Sequence, residues 1–296
     1  MFNIRRLVFK IHFCNFLSRE NNTMFVKLLV PIDFSSESEN SLQYALAMAK
    51  EHNAKLMLVH VCKTGLFSIG KSREKEDQAY ERLNRLIAQY EQNSFSRNGE
   101  PIEIESKVLH GRAADEIIRY AVKYKTSFII MGFKGEGLSP KSTIGHNTLE
   151  VILRASVPVI SIPPNAKYKP IQAIAYTNHN ARTENTNFNT IIKVAEAYAA
   201  EIIIVRTRNK KQEDSDTSKN IFSHKKNIFK YQNINKFYSE FDDLSESMNA
   251  CIKDRAPDLI ALGIHEEDFF NRMVRQLYSK EIALQYQIPL LSTSVM

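Results

Sequence analysis

The sequence predicts an α/β fold made of two tandem units, each a parallel sheet with helices on both faces. Three observations lead there. Short apolar runs alternate with stretches of helical spacing along most of the chain, which is the pattern of βαβ units. The second part of the chain repeats the first. The length of 296 residues suits two domains, at about 100–200 residues each.

The elements follow in order from Met24. Val26–Ile32 is a short apolar run and predicts a strand, bounded by Asp33 and a serine cluster. Ser36 with Glu39 has capping-box spacing, which would satisfy the free amides of a new helix. Leu42, Ala45, Leu46 and Ala49 then recur at i, i+3, i+4, i+7, one face of a helix. Leu56–Val61 predicts the second strand. Ala79, Leu83, Leu86, Ile87 and Tyr90 mark the second helix, with charged residues between them. Ile102–Val108 alternates as a third strand, and Ala114, Ile117, Ile118 and Ala121 mark the third helix. Phe128–Met131 predicts a fourth strand, Thr148, Val151, Ile152 and Ala155 a fourth helix, and Val157–Ile162 a fifth strand. Alternation of this kind implies mostly parallel strands buried on both faces.

Residues 1–23 stand outside the pattern. Arg5 and Arg6 precede an apolar patch, but Lys10, His12 and Asn15 interrupt it and no small-x-small cleavage site follows. They read as a tail, or as an upstream start of translation. No eighteen apolar residues run together, so no membrane-spanning helix is expected. Cys14, Cys62 and Cys251 are too far apart for a zinc or disulfide framework, and the reducing cytoplasm is the expected location.

The repeat is visible as paired segments. Phe128–Gly132 resembles Leu259–Gly263, and Val157–Ser161 resembles Ile288–Ser292, both 131 positions apart. Ala54–Val59 resembles Ala200–Val205 at 146, and Val26–Asp33 resembles Ile171–Asn178 at 145. The second copy is therefore short by about 15 residues, roughly a helix. Arg208–Lys226 lies in that place, polar and without a helical apolar face, and reads as a loop. The division expected is a tail at 1–23, a unit at 24–165 and a shortened unit at 170–296.

The most informative segment runs from Gly132 to Thr148. It leaves a strand, passes Gly135, Gly137 and Gly145, and ends at a helix start. Glycine lets backbone approach a ligand, and a helix N-terminus offers amides to phosphate. Lys134 and Lys141 could add charge. A Walker loop is excluded, because no Gly-Lys-Ser/Thr triplet closes the segment. A dinucleotide fingerprint is excluded too, since the first turn, Pro31-Ile32-Asp33-Phe34-Ser35, has no glycine. Ser139 lacks a nucleophile elbow.

With those residues in view, the chain resembles the universal stress protein family over residues 24–296. Nucleotide-binding members of that family carry G-x2-G-x9-G followed by Ser or Thr, and Gly132, Gly135 and Gly145 reproduce the intervals. Pro31-Ile32-Asp33 closing the first strand and His60-Val61 closing the second also match. The resemblance implies Rossmann-like units, each with five parallel strands in the order 3-2-1-4-5. Strands one and four then meet at a topological switch point, where such sheets bind ligands. It further implies that Asp33 holds ribose hydroxyls and that the Val61 backbone meets the adenine edge. Gly132, Gly135, Gly145 and Asn147 would line ribose and phosphates, with Pro31, Ile32, Met131 and Lys134 alongside. Asp33 taken alone would equally suit a turn before a helix. One position departs: His146 stands where the family has Ser or Thr. An imidazole can donate a hydrogen bond, and a protonated one would attract phosphate.

The second copy looks stripped of the site. Asn178 aligns with Asp33, Glu266 with Gly135 and Gln276 with Gly145, while Glu266, Glu267 and Asp268 would repel phosphate. That copy is expected to be structural or regulatory. By the resemblance, the last strands pair into an internal pseudo-dimer, with homo-oligomers also open to it. The function expected is a cytoplasmic stress-response protein that binds ATP or AMP, with or without magnesium, and acts by conformation or through a protein partner. The alternative is a nucleotide-free dimeric scaffold, which His146 favours. No general base or nucleophile pair accompanies the loop, so at most a slow ATPase is expected. The net charge of +7 is scattered, with +3 in the tail, +3 over 24–168 and +1 over 169–296. No basic groove with interleaved aromatics emerges, so neither nucleic acid nor membrane is expected as a partner.

Overall fold

The computed structural model describes residues 24–62, 71–91, 94–134, 144–177, 184–207, 231–264, 267–279 and 286–294. The tail, Gly135, Gly137, Ser139, Lys141, Asn178, the 208–226 segment and Glu266 lie outside those residues. In chain order the elements are β1 (Lys27–Pro31), α1 (Ser36–His52), β2 (Lys55–Cys62), α2 (Lys71–Glu91), β3 (Ile104–His110), α3 (Ala113–Lys123), β4 (Phe128–Gly132), α4 (His146–Arg154) and β5 (Val159–Ile162). There follow β6 (Ala173–Thr177), α5 (Glu184–Tyr198), β7 (Glu201–Arg206), β8 (Ile234–Tyr238), α6 (Leu244–Arg255), β9 (Leu259–Ile264), α7 (Glu267–Ser279) and β10 (Leu290–Ser294). None of the described helices is long and apolar enough to cross a membrane.

The strands form one ten-stranded sheet in the order β3-β2-β1-β4-β5-β10-β9-β6-β7-β8. Neighbours are parallel except β5 and β10, which pair antiparallel. The first five strands thus stand in the order 3-2-1-4-5. Successive strand residues point to opposite faces, so the sheet carries two cores. Leu28, Val30, Phe128, Ile130, Ile160 and Leu291 belong to one. Leu29, Ile129, Val159 and Leu290 belong to the other. Outer strands β3 and β8 instead expose Glu105 and Lys107, and Asn235 and Lys236, polar edges that resist further pairing.

Strand register sharpens the repeat. Leu28 faces Leu56 and Phe128, while Ile174 faces Ile202 and Leu259. Ile174 and Ile202 each stand 146 positions after their counterparts, and Leu259 stands 131 after Phe128. The first strand therefore repeats at 146, not 145, and by count His179 rather than Asn178 corresponds to Asp33. A strand tolerates no one-residue slip, because its faces would exchange. The shortening falls between β7 and β8: Ile202 faces Ile234, whereas Leu56 faces Ile104. Ile160 pairs with Leu291, its own counterpart at 131, so an approximate twofold axis passes between β5 and β10.

Helix α1 corrects the capping expectation. Its N-cap is Ser35, whose side chain accepts from the Ser38 amide, and Ser36 is already helical. Glu39 takes no part in a box; its amide donates to the Ser35 carbonyl at 3.0 Å. The predicted apolar face, Leu42, Ala45, Leu46 and Ala49, is buried. The helix ends at Asn53, in the left-handed region with φ 54°, a conformation Asn tolerates.

Candidate functional site

Strands β1 and β4 are neighbours, yet the chain leaves β1 toward β2 and leaves β4 toward β5. Their carboxyl ends therefore open a crevice between diverging connections. One lip is Pro31–Ser35 and the start of α1. The other is Gly132–Lys134 and the start of α4.

The lips approach closely. A Cβ at Gly132 would lie 3.0 Å from the Glu37 carbonyl oxygen and 3.1 Å from Glu37 Cβ, so space at this position favours glycine. Three hydrogen bonds then set the second lip. Phe133 N donates to Ile162 O at 3.0 Å, Gly145 N donates to Phe133 O at 2.7 Å, and Thr148 Oγ1 donates to Gly132 O at 2.9 Å. Phe133 and Gly145 are thus tied to each other, and α4 starts beside the end of β4.

The two helix starts differ electrostatically. At α1 the amides meet the Ser35 cap, and Glu37 and Glu39 occupy the first turn. At α4 the N-cap is Gly145, extended at φ −69° and ψ 149°, with no side-chain cap and no acid in the first turn. Among the described residues no side chain caps the amides at the start of α4, and the positive end of the helix dipole there favours an anion by about 0.3–1 kcal/mol.

On the first lip, Asp33 Oδ1 accepts from Ser35 N at 3.1 Å and from Ser35 Oγ at 2.5 Å. His60 Nδ1 lies 2.7 Å from Ile32 O, and Ile32 N donates to Val59 O at 2.8 Å. The carboxylate is held by its own turn, and the turn by β2. Val61 lies one strand further out, half-buried, in register with Leu109.

The expected site residues separate into three groups. Pro31, Ile32, Asp33, Gly132, Lys134, Gly145, His146 and Asn147 gather on the two lips, and Val61 sits on the adjoining strand. Met131 is 6 % exposed and packs in the core, so its backbone alone could reach a ligand. Gly135 lies outside the described residues. His146 is exposed and turns along α4, its Nε2 3.6 Å from Glu150 Oε2. Glu150 also pairs with Arg112 at 2.6 Å and Arg154 at 2.9 Å. Sequence reasoning did not assign a site role to Ser35, Phe34, Thr148 or Glu150. Ser35 left a signal in the serine cluster; the others act through contacts that leave none.

The described residues of the second half show no such arrangement. After β9 the chain enters α7 at Glu267, three residues beyond Ile264, whereas α4 starts fourteen residues beyond Gly132. Glu267 and Asp268 lie in the first turn of α7. Gln276 corresponds to no helix cap: it lies inside α7 and accepts from Ser245 Oγ. By count it still stands 131 positions after Gly145, but within a helix rather than at a helix start. Among the described residues no group of three His, Cys, Asp or Glu could hold a metal.

Residues 24–163 match the model of the universal stress protein family. A universal stress protein of Methanocaldococcus jannaschii is 26 % identical over 161 residues, 53 % of this chain and 92 % of that protein. One of Thermus aquaticus is 27 % identical over 141 residues, 47 % of this chain and 99 % of that one. The fold matches the crystal structure of a universal stress protein from Archaeoglobus fulgidus with a TM-score of 0.64. That match covers 93 % of this chain and 98 % of that one at 18 % identity. A functionally unknown protein from Pseudomonas aeruginosa matches with a TM-score of 0.57 at 11 % identity, covering 92 % and 94 %. The switch-point crevice, the glycine intervals and these matches agree, and residues 24–163 belong to the universal stress protein family.

Proposed function

We propose that residues 24–165 form a unit binding ATP or AMP, with or without magnesium, and that residues 170–296 form a second unit without a nucleotide site. The observation that carries this reading is the uncapped, acid-free start of α4 beside the Asp33 turn. A carboxylate suits ribose hydroxyls, and free helix amides suit phosphate. Family membership of residues 24–163 supports the same ligand class. In the second half, Glu267 and Asp268 at the start of α7 disfavour phosphate. The protein would then act in the cytoplasm by changing conformation, or its contacts with a partner, when nucleotide is bound.

The test is calorimetry with ATP and AMP on the full chain. One nucleotide per chain is expected, and binding should fall at least tenfold in Asp33→Ala, the loss of about 1.4 kcal/mol in a charged hydrogen bond. Two sites per chain would sink the assignment of the second unit. The other reading is a nucleotide-free scaffold, favoured by His146, which stands where the family has Ser or Thr and whose Nε2 lies 3.6 Å from Glu150 Oε2. A protein that releases no nucleotide on denaturation and ignores added ATP and AMP would establish it.

A further inference from the structure

We infer that Arg82, on α2, is a positioning residue for the Asp33 turn and couples α2 to occupancy of the crevice. The inference rests on the nucleotide reading for its ligand, but its geometry stands apart from it. Phe34 directly follows Asp33 and has φ 64°. Bulky L-residues rarely adopt that left-handed conformation, so contacts must hold it. Two do. The Arg82 guanidinium carbon lies 3.9 Å from the centre of the Phe34 ring. The His60 ring packs against the same phenyl, centroids 4.7 Å apart.

His60 closes the assembly on the other side of Asp33, because its Nδ1 lies 2.7 Å from the Ile32 carbonyl oxygen. The residue before Asp33 is therefore held by His60, and the residue after it by His60 and Arg82 together. Between them the carboxylate is oriented by Ser35. A ligand that engages Asp33 must work with or against this stack. Helix α2 is otherwise seated by Ala79, Leu83 and Leu86 in the core. It also meets the carboxyl edge of the sheet at Glu76, 3.1 Å from His110 at the end of β3. Movement of the Asp33 turn would thus be felt by α2, whose outer face is exposed. A guanidinium suits the role, since its flat, weakly hydrated cation stacks on an aromatic face.

The test uses the full chain with Arg82→Leu and Arg82→Lys. Arg82→Leu should weaken ATP binding about threefold, the effect of one exposed cation–π contact. It should also speed hydrogen exchange of the Ser35 amide, read by NMR, while the melting temperature stays unchanged. Arg82→Lys should recover most of both. In a Phe34→Leu background, Arg82→Leu should add nothing further. Unchanged Ser35 exchange in Arg82→Leu would overturn the positioning role. Faster exchange with unchanged ATP affinity would overturn the coupling. A wild-type chain that binds neither ATP nor AMP would overturn the nucleotide reading and the coupling with it, and Ser35 exchange would still decide the positioning role.

Discussion

At the scale of single residues, two positions carry consequences out of proportion to their size. Gly132 faces a backbone carbonyl 3.0 Å from where a Cβ would stand, and a carbonyl within a helix cannot swing aside. Gly132→Ala should destabilise the protein by about 1–3 kcal/mol through overpacking, read as a lower urea midpoint. His52 is the second. It is 7 % exposed, stacked on Phe25 at 4.3 Å and edge-on to Tyr198 at 4.5 Å. Burial pushes its imidazole from 6.5 down to about 4, with Glu51 opposing and Arg97 assisting. Between those values the unfolded chain binds the proton and the folded chain does not. Stability is thus present above pH 6.5 and lost as pH falls toward 4, on the order of 3 kcal/mol in all. His52→Phe keeps the ring and removes the titration, so its urea midpoint should fall less steeply over that pH range than that of the wild type. Asp33 and the glycine intervals were legible in the sequence because they are short-range patterns. His52 was not, since the rings packed on it, Phe25 and Tyr198, stand 27 and 146 positions away.

At the scale of elements, the contrast between the starts of α1 and α4 matters most. One is capped by the Ser35 side chain and carries Glu37 and Glu39; the other has Gly145 at its N-cap position, no side-chain cap and no acid. Asn147 is exposed in the first turn of α4. Asn147→Asp should stabilise the protein by about 0.3–1 kcal/mol through the helix dipole and weaken ATP binding by like-charge repulsion. Opposite signs in thermal melting and in calorimetry would mark the site. A variant that melts higher and binds ATP as before would place phosphate elsewhere. Element boundaries were read from apolar periodicity to within a few residues, as in α3, where Ala114, Ile117 and Ala121 are buried. The cap of α1 was misread by one residue, because Ser35 and Ser36 are chemically alike and backbone geometry alone decides which is the cap.

At the scale of the whole molecule, the halves meet along β5 and β10 and again through the segment between them. Tyr168 donates its hydroxyl to Glu51 and lies 3.0 Å from the Tyr198 hydroxyl. Its ring meets Tyr44 edge-on at 5.1 Å. Lys169 pairs with Asp258 at 2.6 Å, and Asp258 accepts from Gln172 N at 2.8 Å and Ala173 N at 3.1 Å. The polar contacts of Tyr168 tie α1 in the first half to α5 in the second. Tyr168→Phe should cost about 1–2 kcal/mol, since it leaves a half-buried carboxylate with one donor fewer. Chemical denaturation should show one transition in the wild type. A second transition in the variant would show that the halves had uncoupled.

The sequence by itself determined the alternation of strands and helices, the existence of a repeat, the glycine intervals and the absence of that loop chemistry in the second copy. These are matters of period and spacing, which the order of residues records directly. Tertiary structure decided what depends on groups brought together from afar. It set the one-residue correction of the repeat, the twofold register of Ile160 on Leu291, the turn of His146 toward Glu150, and the stacking of Arg82 on Phe34. Strand pairing is made by backbone groups common to all residues, so its register leaves almost no mark on side-chain order. Side-chain stacking between distant elements leaves none until the chain has folded.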